Sequence, residues 1–148
     1  MTNVLITGGA GFIGTNLAAR YLAKGNNVTI FDNFSRKGSR FNAEWLKNNF
    51  SNIRIIKGDI RNKEDIEKAL ADDADLCFHL AGQVAVTTSV ANPMEDFQIN
   101  CLGTINLLEA IRKCKNDPVF VYSSTNKVYG GMESANVIEN ENRYEYEN

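Results

Sequence analysis

The sequence predicts an α/β fold, in which a doubly wound parallel sheet carries helices on both faces. Three observations predict it: short apolar runs alternate with amphipathic segments, the runs are almost continuously apolar, and polar residues or glycines separate them. Continuously apolar strands are typical of parallel sheets that helices cover on both sides. A right-handed series of strand–helix–strand units then gives the doubly wound arrangement.

Five strands and four helices are expected in alternation. The strands are predicted at Asn3–Thr7, Val28–Phe31, Ile53–Ile56, Leu76–Leu80 and Val119–Tyr122. The helices are predicted at Phe12–Lys24, Arg40–Phe50, Lys63–Ala71 and Met94–Lys115, because apolar residues recur there at helical spacing, with Asn62 as a helix cap and Pro93 before the last helix.

The end of the chain differs in composition from the rest. Five glutamates and few aliphatic residues lie between Gly130 and Asn148. We therefore expect residues 1–130 to form the domain and residues 131–148 to form an acidic loop, with neither a sixth strand nor a helix.

Composition excludes several classes of function. Sixteen Lys and Arg residues against eighteen Asp and Glu residues leave no basic surplus for a nucleic-acid partner. No apolar run approaches the roughly 18–20 residues of a membrane span, and no secretory signal is visible at the start of the chain. Three widely spaced cysteines fit neither a disulfide framework nor a metal site, so we expect a cytoplasmic protein without a bound metal.

A glycine-rich turn follows the first predicted strand. Gly8, Gly11 and Gly14 stand three residues apart, between that strand and the first predicted helix. Glycines in this context let the backbone approach a pyrophosphate, and the helix N-terminus offers free N–H groups to it. The turn, with Phe12 and Ile13, therefore predicts a dinucleotide site. A tight strand-to-helix turn without a ligand is the alternative.

An acidic residue ends the second predicted strand. Asp32 lies 18 residues after Gly14, where a carboxylate accepts hydrogen bonds from ribose hydroxyls and repels an additional phosphate. This favours NAD over NADP as the cofactor. Arg36, Lys37 and Arg40 follow closely and keep NADP open as the alternative.

Six motifs in order give the chain a family resemblance. They are Thr7–Gly14 (TGGAGFIG), Asp32–Arg36 (DNFSR), Gly58–Arg61 (GDIR), His79–Gln83 (HLAGQ), Asn100–Thr104 (NCLGT) and Tyr122–Gly130 (YSSTNKVYG). The chain resembles the nucleotide-sugar epimerases and dehydratases of the extended short-chain dehydrogenase/reductase family. The resemblance implies a Rossmann-type NAD(P)-binding domain.

The resemblance also implies roles for individual residues. It implies that Thr125 is the catalytic hydroxyl and that Thr88 and Lys127 lie near the substrate. The implied cofactor-binding residues are Gly8, Gly11, Phe12, Ile13, Gly14, Asp32, Asn33, Ser35, Arg36, Asp59, Ile60, Leu80, Ala81, Gln83, Asn100, Ser123 and Ser124.

Several of these residues also have plainer interpretations. Asp59 is also a turn former, Asn100 also a local hydrogen-bonding residue, and the hydroxyls of Ser123–Thr125 also suit a strand end. The single histidine, His79, lies within a predicted buried strand, and we expect it to be structural rather than a general base.

The residues after the serines indicate a branch of the family. The dehydratases resemble Thr-Asp-Glu at this place, whereas this chain has Thr125-Asn126-Lys127, which disfavours elimination of water. The whole segment looks most like the CDP-paratose/CDP-tyvelose 2-epimerases. That resemblance implies a nucleotide-sugar epimerase that transiently oxidises a sugar hydroxyl to a keto group with bound NAD. The alternatives are a UDP-hexose 4-epimerase or a dehydratase-like member, and a non-catalytic NAD-sensing module.

One element of the family pattern is not found in the chain. The family's base is a tyrosine with a lysine four residues later, and none of the five tyrosines here has that lysine. We therefore expect this chain to be the N-terminal part of a longer protein, incomplete at its C-terminus. The catalytic helix and substrate domain should follow Asn148, the full protein should be a homo-oligomer, and this part alone should be inactive.

Overall fold

A five-stranded parallel sheet forms the centre of the molecule. The structure, a computed structural model, describes residues 1–125 and 130–147. The strands are β1 Asn3–Thr7, β2 Asn27–Asp32, β3 Ile53–Lys57, β4 Leu76–His79 and β5 Val119–Tyr122. Each agrees with its predicted range to within one residue at either end. Their spatial order is β3-β2-β1-β4-β5, which confirms the doubly wound arrangement.

Helical segments connect successive strands. They are α1 Phe12–Ala23, α2 Ser39–Asn49, α3 Lys63–Ala69, α4 Val86–Ala91, α5 Pro93–Phe97, a π-helical segment Gln98–Leu102 and α6 Gly103–Ile111. As predicted, Asn62 caps α3, because its side-chain oxygen accepts the N–H groups of Glu64 and Asp65. Within residues 1–125 and 130–147, none of the helices has the length and apolarity that crossing a membrane requires.

Each face of the sheet has its own apolar core, because successive strand side chains point to opposite sides. Leu5 and Phe31 pack on one face with Ile66 of α3 and Leu107 of α6. The other face is covered by α1 and α2, and its buried residues are Val4, Ile6, Ala10, Ala18, Leu22, Val28, Ile30, Ala43 and Leu46.

The middle of the sheet determines where a ligand can bind. β1 pairs with β2 from Asn3↔Asn27 to Thr7↔Phe31, and with β4 from Val4↔Leu76 to Thr7↔His79. From β1 the chain therefore continues to β2 and β3 on one side, and it then crosses back so that β4 lies on the other side of β1. In open parallel sheets the crevice at such a reversal lies beyond the carboxyl ends of the strands and holds ligands.

The connection between β4 and β5 differs from the prediction. A single helix Met94–Lys115 was expected, but the π-helical segment Gln98–Leu102 interrupts it and α6 ends at Ile111. A π-helical turn adds a residue to the helical repeat, which apolar spacing counted at 3.6 residues does not reveal. Helix α4 is not evident in the sequence because it is six residues long, and its two exposed valines, Val86 and Val90, make too short an apolar stripe.

The acidic end of the chain is also more ordered than predicted. The prediction of a loop there is wrong, because β6 Val137–Glu139 and β7 Tyr144–Tyr146 form a separate antiparallel pair. The glutamates indicated a solvated loop, and these three-residue strands bury too little surface to give an alternating pattern. Val, Ile and Tyr are nevertheless good strand formers. The Asn140 N–H donates to Arg143 O at 2.9 Å and closes the turn.

Two adjacent leucines of α6 test which face of this helix stabilises the fold. Leu107 is 0% exposed and Leu108 is 41% exposed. We predict that Leu107→Ala lowers the free energy of unfolding by about 2–5 kcal/mol, because it leaves a cavity in the core. Leu108→Ala, the matched control, should cost roughly 1 kcal/mol or less. Urea unfolding measures both, and equal losses would contradict this packing.

Candidate functional site

A cleft of about 630 Å³ opens beyond the carboxyl ends of the strands. The turn after β1 and the loops after β2, β3 and β4 line it. Many of the predicted cofactor residues lie in its wall: Gly8, Gly11, Phe12, Ile13, Gly14, Asp32, Asn33, Ser35, Arg36, Asp59, Ile60, Leu80, Ala81, Gln83 and Ser123. The topology therefore brings residues that are up to 115 positions apart in sequence to one surface.

The glycine turn is compact because three segments meet there without side chains between them. Gly8 has φ +66°, and a Cβ on it would lie 2.8 Å from the backbone nitrogen of Ala81. A Cβ on Gly14 would lie 2.4 Å from the carbonyl oxygen of Gly8. Glycine is thus required at both positions by the protein's own packing.

Gly11 is different, because the protein itself leaves room beside it. A Cβ on Gly11 would meet a single heavy atom within 4 Å, the carbonyl oxygen of Gly8 at 3.1 Å. Its remaining surroundings open into the cleft. A glycine here keeps the backbone accessible to a ligand, which is what close approach of a pyrophosphate requires.

The N-terminus of α1 faces the same space. Gly11 is the N-cap residue, and no side chain of the described residues caps the helix. Phe12 and Ile13, in the first turn, line the cleft. The first N–H groups of a helix carry partial positive charge, so this end of α1 suits an anionic group.

Asp32 connects the glycine turn to the loop that follows β2. One carboxylate oxygen accepts the Ala10 N–H at 3.1 Å, and the other accepts the Phe34 N–H at 2.8 Å. In the next turn Asn33 Oδ1 accepts the Ser35 N–H at 3.0 Å. These two side-chain turns direct the loop back over the cleft.

Asn42 is a supporting residue that no sequence pattern indicates. Its side-chain amide donates to the carbonyl oxygen of Ala10 at 2.8 Å and so ties α2 to the glycine turn. Asn42 also lines the cleft. An isolated asparagine on a helix gives no pattern from which this contact is predictable. Other lining residues that were not predicted are Ala10, Phe31, Lys37, Gly38, Ser39, Gly58, Gly82, Val84 and Ile99.

A second carboxylate lies in the wall of the cleft, in the loop that follows β3. Asp59 accepts two hydrogen bonds from the Arg61 guanidinium, at 2.7 and 2.9 Å, and one from the Asn33 amide at 3.4 Å. The hydrogen bonds from Arg61 lower the pKa of Asp59 to about 2. The carboxylate is therefore ionised at neutral pH and held in a defined orientation.

The loop after β4 is held from two sides. The Gln83 N–H donates to Asn100 Oδ1 at 2.8 Å, and Asn100 Nδ2 donates back to Gln83 O at 3.1 Å. From across the cleft, the Arg36 guanidinium donates to Gln83 Oε1 at 3.2 Å. Asn100 does not line the cleft; it contacts the loop that does.

His79 lies beneath this loop, in the core. It is 1% exposed; Nδ1 lies 2.6 Å from Thr7 Oγ1 and Nε2 lies 2.9 Å from Thr104 Oγ1. Burial lowers the pKa of His79 to about 4. Both ring nitrogens are satisfied within the protein, which agrees with the predicted structural role and leaves no nitrogen directed at a substrate.

The remaining predicted residues lie elsewhere. Ser124 and Thr125 follow β5 at the same edge of the sheet and are exposed, but they are not among the described residues that line the cleft. Thr88 is exposed on α4, also outside that lining. Lys127 lies outside the described residues. Within the described ranges, no three His, Cys, Asp or Glu residues are placed to hold a metal ion.

The sequence of this chain is similar to those of known proteins. Residues 5–147 match the family model described as GDP-mannose 4,6 dehydratase. The chain is 51% identical over 142 residues to CDP-paratose 2-epimerase of Salmonella typhi, covering 95% of this chain and 42% of that protein. The chain spans about two fifths of the length of this and other curated relatives.

Solved structures share the fold. UDP-glucose 4-epimerase of Thermus thermophilus, in complex with NAD, is 39% identical with a TM-score of 0.65, covering 74% of this chain and 33% of that one. UDP-glucose 4-epimerase of Bifidobacterium longum, in complex with NAD⁺ and UDP, is 33% identical with a TM-score of 0.76, covering 87% and 38%.

The depressed pKa of His79 predicts a specific pH dependence of stability. Its pKa is about 4 in the folded protein and 6.5 ordinarily, so the unfolded chain binds the proton first as the pH falls. We predict that the free energy of unfolding decreases by up to about 3 kcal/mol between pH 6.5 and pH 4.

His79→Gln is the control, because it removes the titrating group while keeping a hydrogen-bond donor. Asp59 contributes little in this window, because the unfolded chain binds a proton at this carboxyl near its ordinary pKa of 3.8, so that its loss of stability falls mostly between pH 4 and pH 2. Urea unfolding at several pH values measures the slope. A slope in His79→Gln equal to that of the wild type would contradict the assignment of a buried neutral histidine.

Proposed function

The chain belongs to the GDP-mannose 4,6 dehydratase family, within the extended short-chain dehydrogenases/reductases, and from this we propose that it is the NAD-binding part of a nucleotide-sugar epimerase. The observation that carries the proposal is the cleft at the reversal of strand order, whose wall contains an uncapped helix N-terminus and an unobstructed Gly11. NAD is present in the related epimerase structures.

The residues of the cleft fit a dinucleotide from end to end. The glycine turn and the N-terminus of α1 suit the pyrophosphate, because they offer N–H groups and no Cβ at Gly11. Asp32, fixed by the N–H groups of Ala10 and Phe34, suits the hydroxyls of the adenosine ribose. Asp59 and Ile60 suit the adenine ring beyond it.

The same geometry supports NAD rather than NADP. The Asp32 carboxylate stands where an additional ribose phosphate would have to lie, and like charges repel. Arg36, one of the cations that could compensate, donates to Gln83 on the other side of the cleft. Lys37 is the other cation of the loop after β2 that lines the cleft.

Bound NAD⁺ supplies the capacity to take a hydride from a sugar carbon and to return it. The residues of this chain bind and orient the reactants. Ser123 lies in the wall of the cleft after β5, and we assign Thr125, two residues later, to the hydrogen bond with the reacting sugar oxygen. The tyrosine–lysine pair that would move the proton is not among these 148 residues.

We propose C2 epimerisation of a CDP-sugar as the specific reaction. Identity of 51% to a CDP-paratose 2-epimerase supports it, and Asn126 and Lys127 in place of an acid–base pair argue against elimination of water. A UDP-hexose 4-epimerase is the second candidate, because related 4-epimerases share the fold. An NAD-sensing module without catalysis is the third.

A product assay with the full-length gene product distinguishes these functions. The protein is incubated with CDP-paratose or with UDP-glucose, and NMR identifies the carbon whose configuration changes. We predict inversion at C2 of the CDP-sugar. Inversion at C4 of UDP-glucose alone would replace this proposal with the second candidate, and NAD binding without turnover would replace it with the third.

Variants of Thr125 provide the matched controls in that assay. Thr125→Val removes the hydroxyl and should lower kcat about 100-fold, because a hydrogen bond to the reacting oxygen is lost. Thr125→Ser keeps the hydroxyl and should retain most of the activity. Similar activity in both variants would contradict the assignment of Thr125.

A further inference from the structure

We propose that His79 and Thr104 are positioning residues, which hold the cofactor loop Leu80–Gln83 through a hydrogen-bond chain that runs from the Ala81 N–H to Asn100, whose side chain binds the same loop. The proposal rests on the proposed function, since it assumes that this loop contacts the dinucleotide. It concerns residues that lie behind the cleft and do not line it.

The direction of each hydrogen bond in the chain follows from the two contacts of the Thr104 hydroxyl. The Thr104 hydroxyl donates to the carbonyl oxygen of Asn100 at 2.6 Å, so toward His79 it can only accept. His79 therefore carries its proton on Nε2. Its Nδ1 must then accept the Thr7 hydroxyl proton at 2.6 Å, and the Thr7 oxygen accepts the Ala81 N–H at 3.2 Å.

Both ends of the chain reach the same short loop. One end is the N–H of Ala81. The backbone of Ala81 packs so closely on Gly8 that a Cβ on Gly8 would lie 2.8 Å from the Ala81 nitrogen. The other end is the carbonyl of Asn100, and the side chain of Asn100 makes two hydrogen bonds to the backbone of Gln83. The side chains and the loop thus form a closed ring.

The ring also includes the π-helical segment. Asn100 lies within Gln98–Leu102, where the Gly103 N–H bonds to the carbonyl of Gln98 five residues before it. A widened turn of this kind is uncommon and frequently occurs at functional sites. The Thr104 hydroxyl adds a hydrogen bond to the Asn100 carbonyl at this turn and thereby supports the orientation in which Asn100 contacts Gln83.

Loss of the Thr104 hydroxyl would reverse the direction of the hydrogen bond between His79 and Thr7. Without it the Nε2–H of His79, which is buried, has no acceptor, and an unsatisfied buried donor is costly. The imidazole then favours a proton on Nδ1, which donates to Thr7. The Thr7 hydroxyl must therefore turn its own proton away from His79, and one of the two remaining directions is the one in which it accepts the Ala81 N–H. The expected result is a loosened Ala81 N–H and a displaced cofactor loop, although no residue of the cleft has changed.

The experiment compares three variants of the full-length gene product. Thr104→Val removes the hydroxyl at nearly constant volume, Thr104→Ser keeps it, and Leu22→Val disturbs the core at the far end of α1. Calorimetric titration with NAD⁺ gives the dissociation constant. We expect Thr104→Val to weaken binding about tenfold, the effect of one hydrogen bond, and the other two variants to bind within about twofold of wild type.

A second readout is independent of binding. Nitrogen-15 NMR reports the tautomer of His79, whose signals are assigned by their loss in His79→Gln, with the proton expected on Nε2 in the wild type and on Nδ1 in Thr104→Val. Faster exchange of the Ala81 amide should accompany the change.

Each contrary result has its own meaning. Unchanged NAD⁺ affinity in Thr104→Val, or an Nδ1–H tautomer in the wild type, overturns the positioning role. Equal weakening by Leu22→Val and Thr104→Val also overturns it, because the effect would then follow general stability. A wild-type protein that binds no NAD⁺ overturns the proposed function instead, and the tautomer still decides whether the hydrogen-bond chain exists.

Discussion

The close packing of backbone around Gly8 is the constraint on which the cleft depends. Gly8 donates to the carbonyl of Phe31 at 2.8 Å and accepts the Gly11 N–H at 3.0 Å. Its φ of +66° and the 2.8 Å between an added Cβ and the Ala81 nitrogen exclude a side chain. One residue thus joins β1, β2, the first turn of α1 and the loop after β4, and their separation sets the width of the site.

The charges of the site divide in a way that suits its chemistry. The carboxyl groups of Asp32 and Asp59 line the cleft, and each is oriented by hydrogen bonds from backbone or from Arg61. The buried group, His79, is neutral because burial lowers its pKa. Charge is therefore placed where a ligand has polar groups to meet, and the core beneath the loop holds a hydrogen-bond chain without a buried ion.

The sequence predicted the sheet and most of the cleft because both leave local patterns. The turn after β1 is recognisable in sequence because packing requires Gly8 and Gly14 and the cleft leaves room at Gly11, and Asp32 ends the next strand as the pattern requires. Support residues leave no such pattern. Asn42, Thr104 and the π-helical turn act through contacts between distant segments, and the exposed hairpin at the end of the chain lacks the burial that makes a strand visible.

A crystal structure of the full-length gene product with NAD⁺ tests the account most directly. We predict pyrophosphate oxygens within about 3.2 Å of N–H groups in the first turn of α1, against Gly11, with the adenosine ribose hydroxyls on the Asp32 carboxylate. A dinucleotide bound away from the glycine turn, or one that leaves Asp32 without a ribose contact, would contradict it.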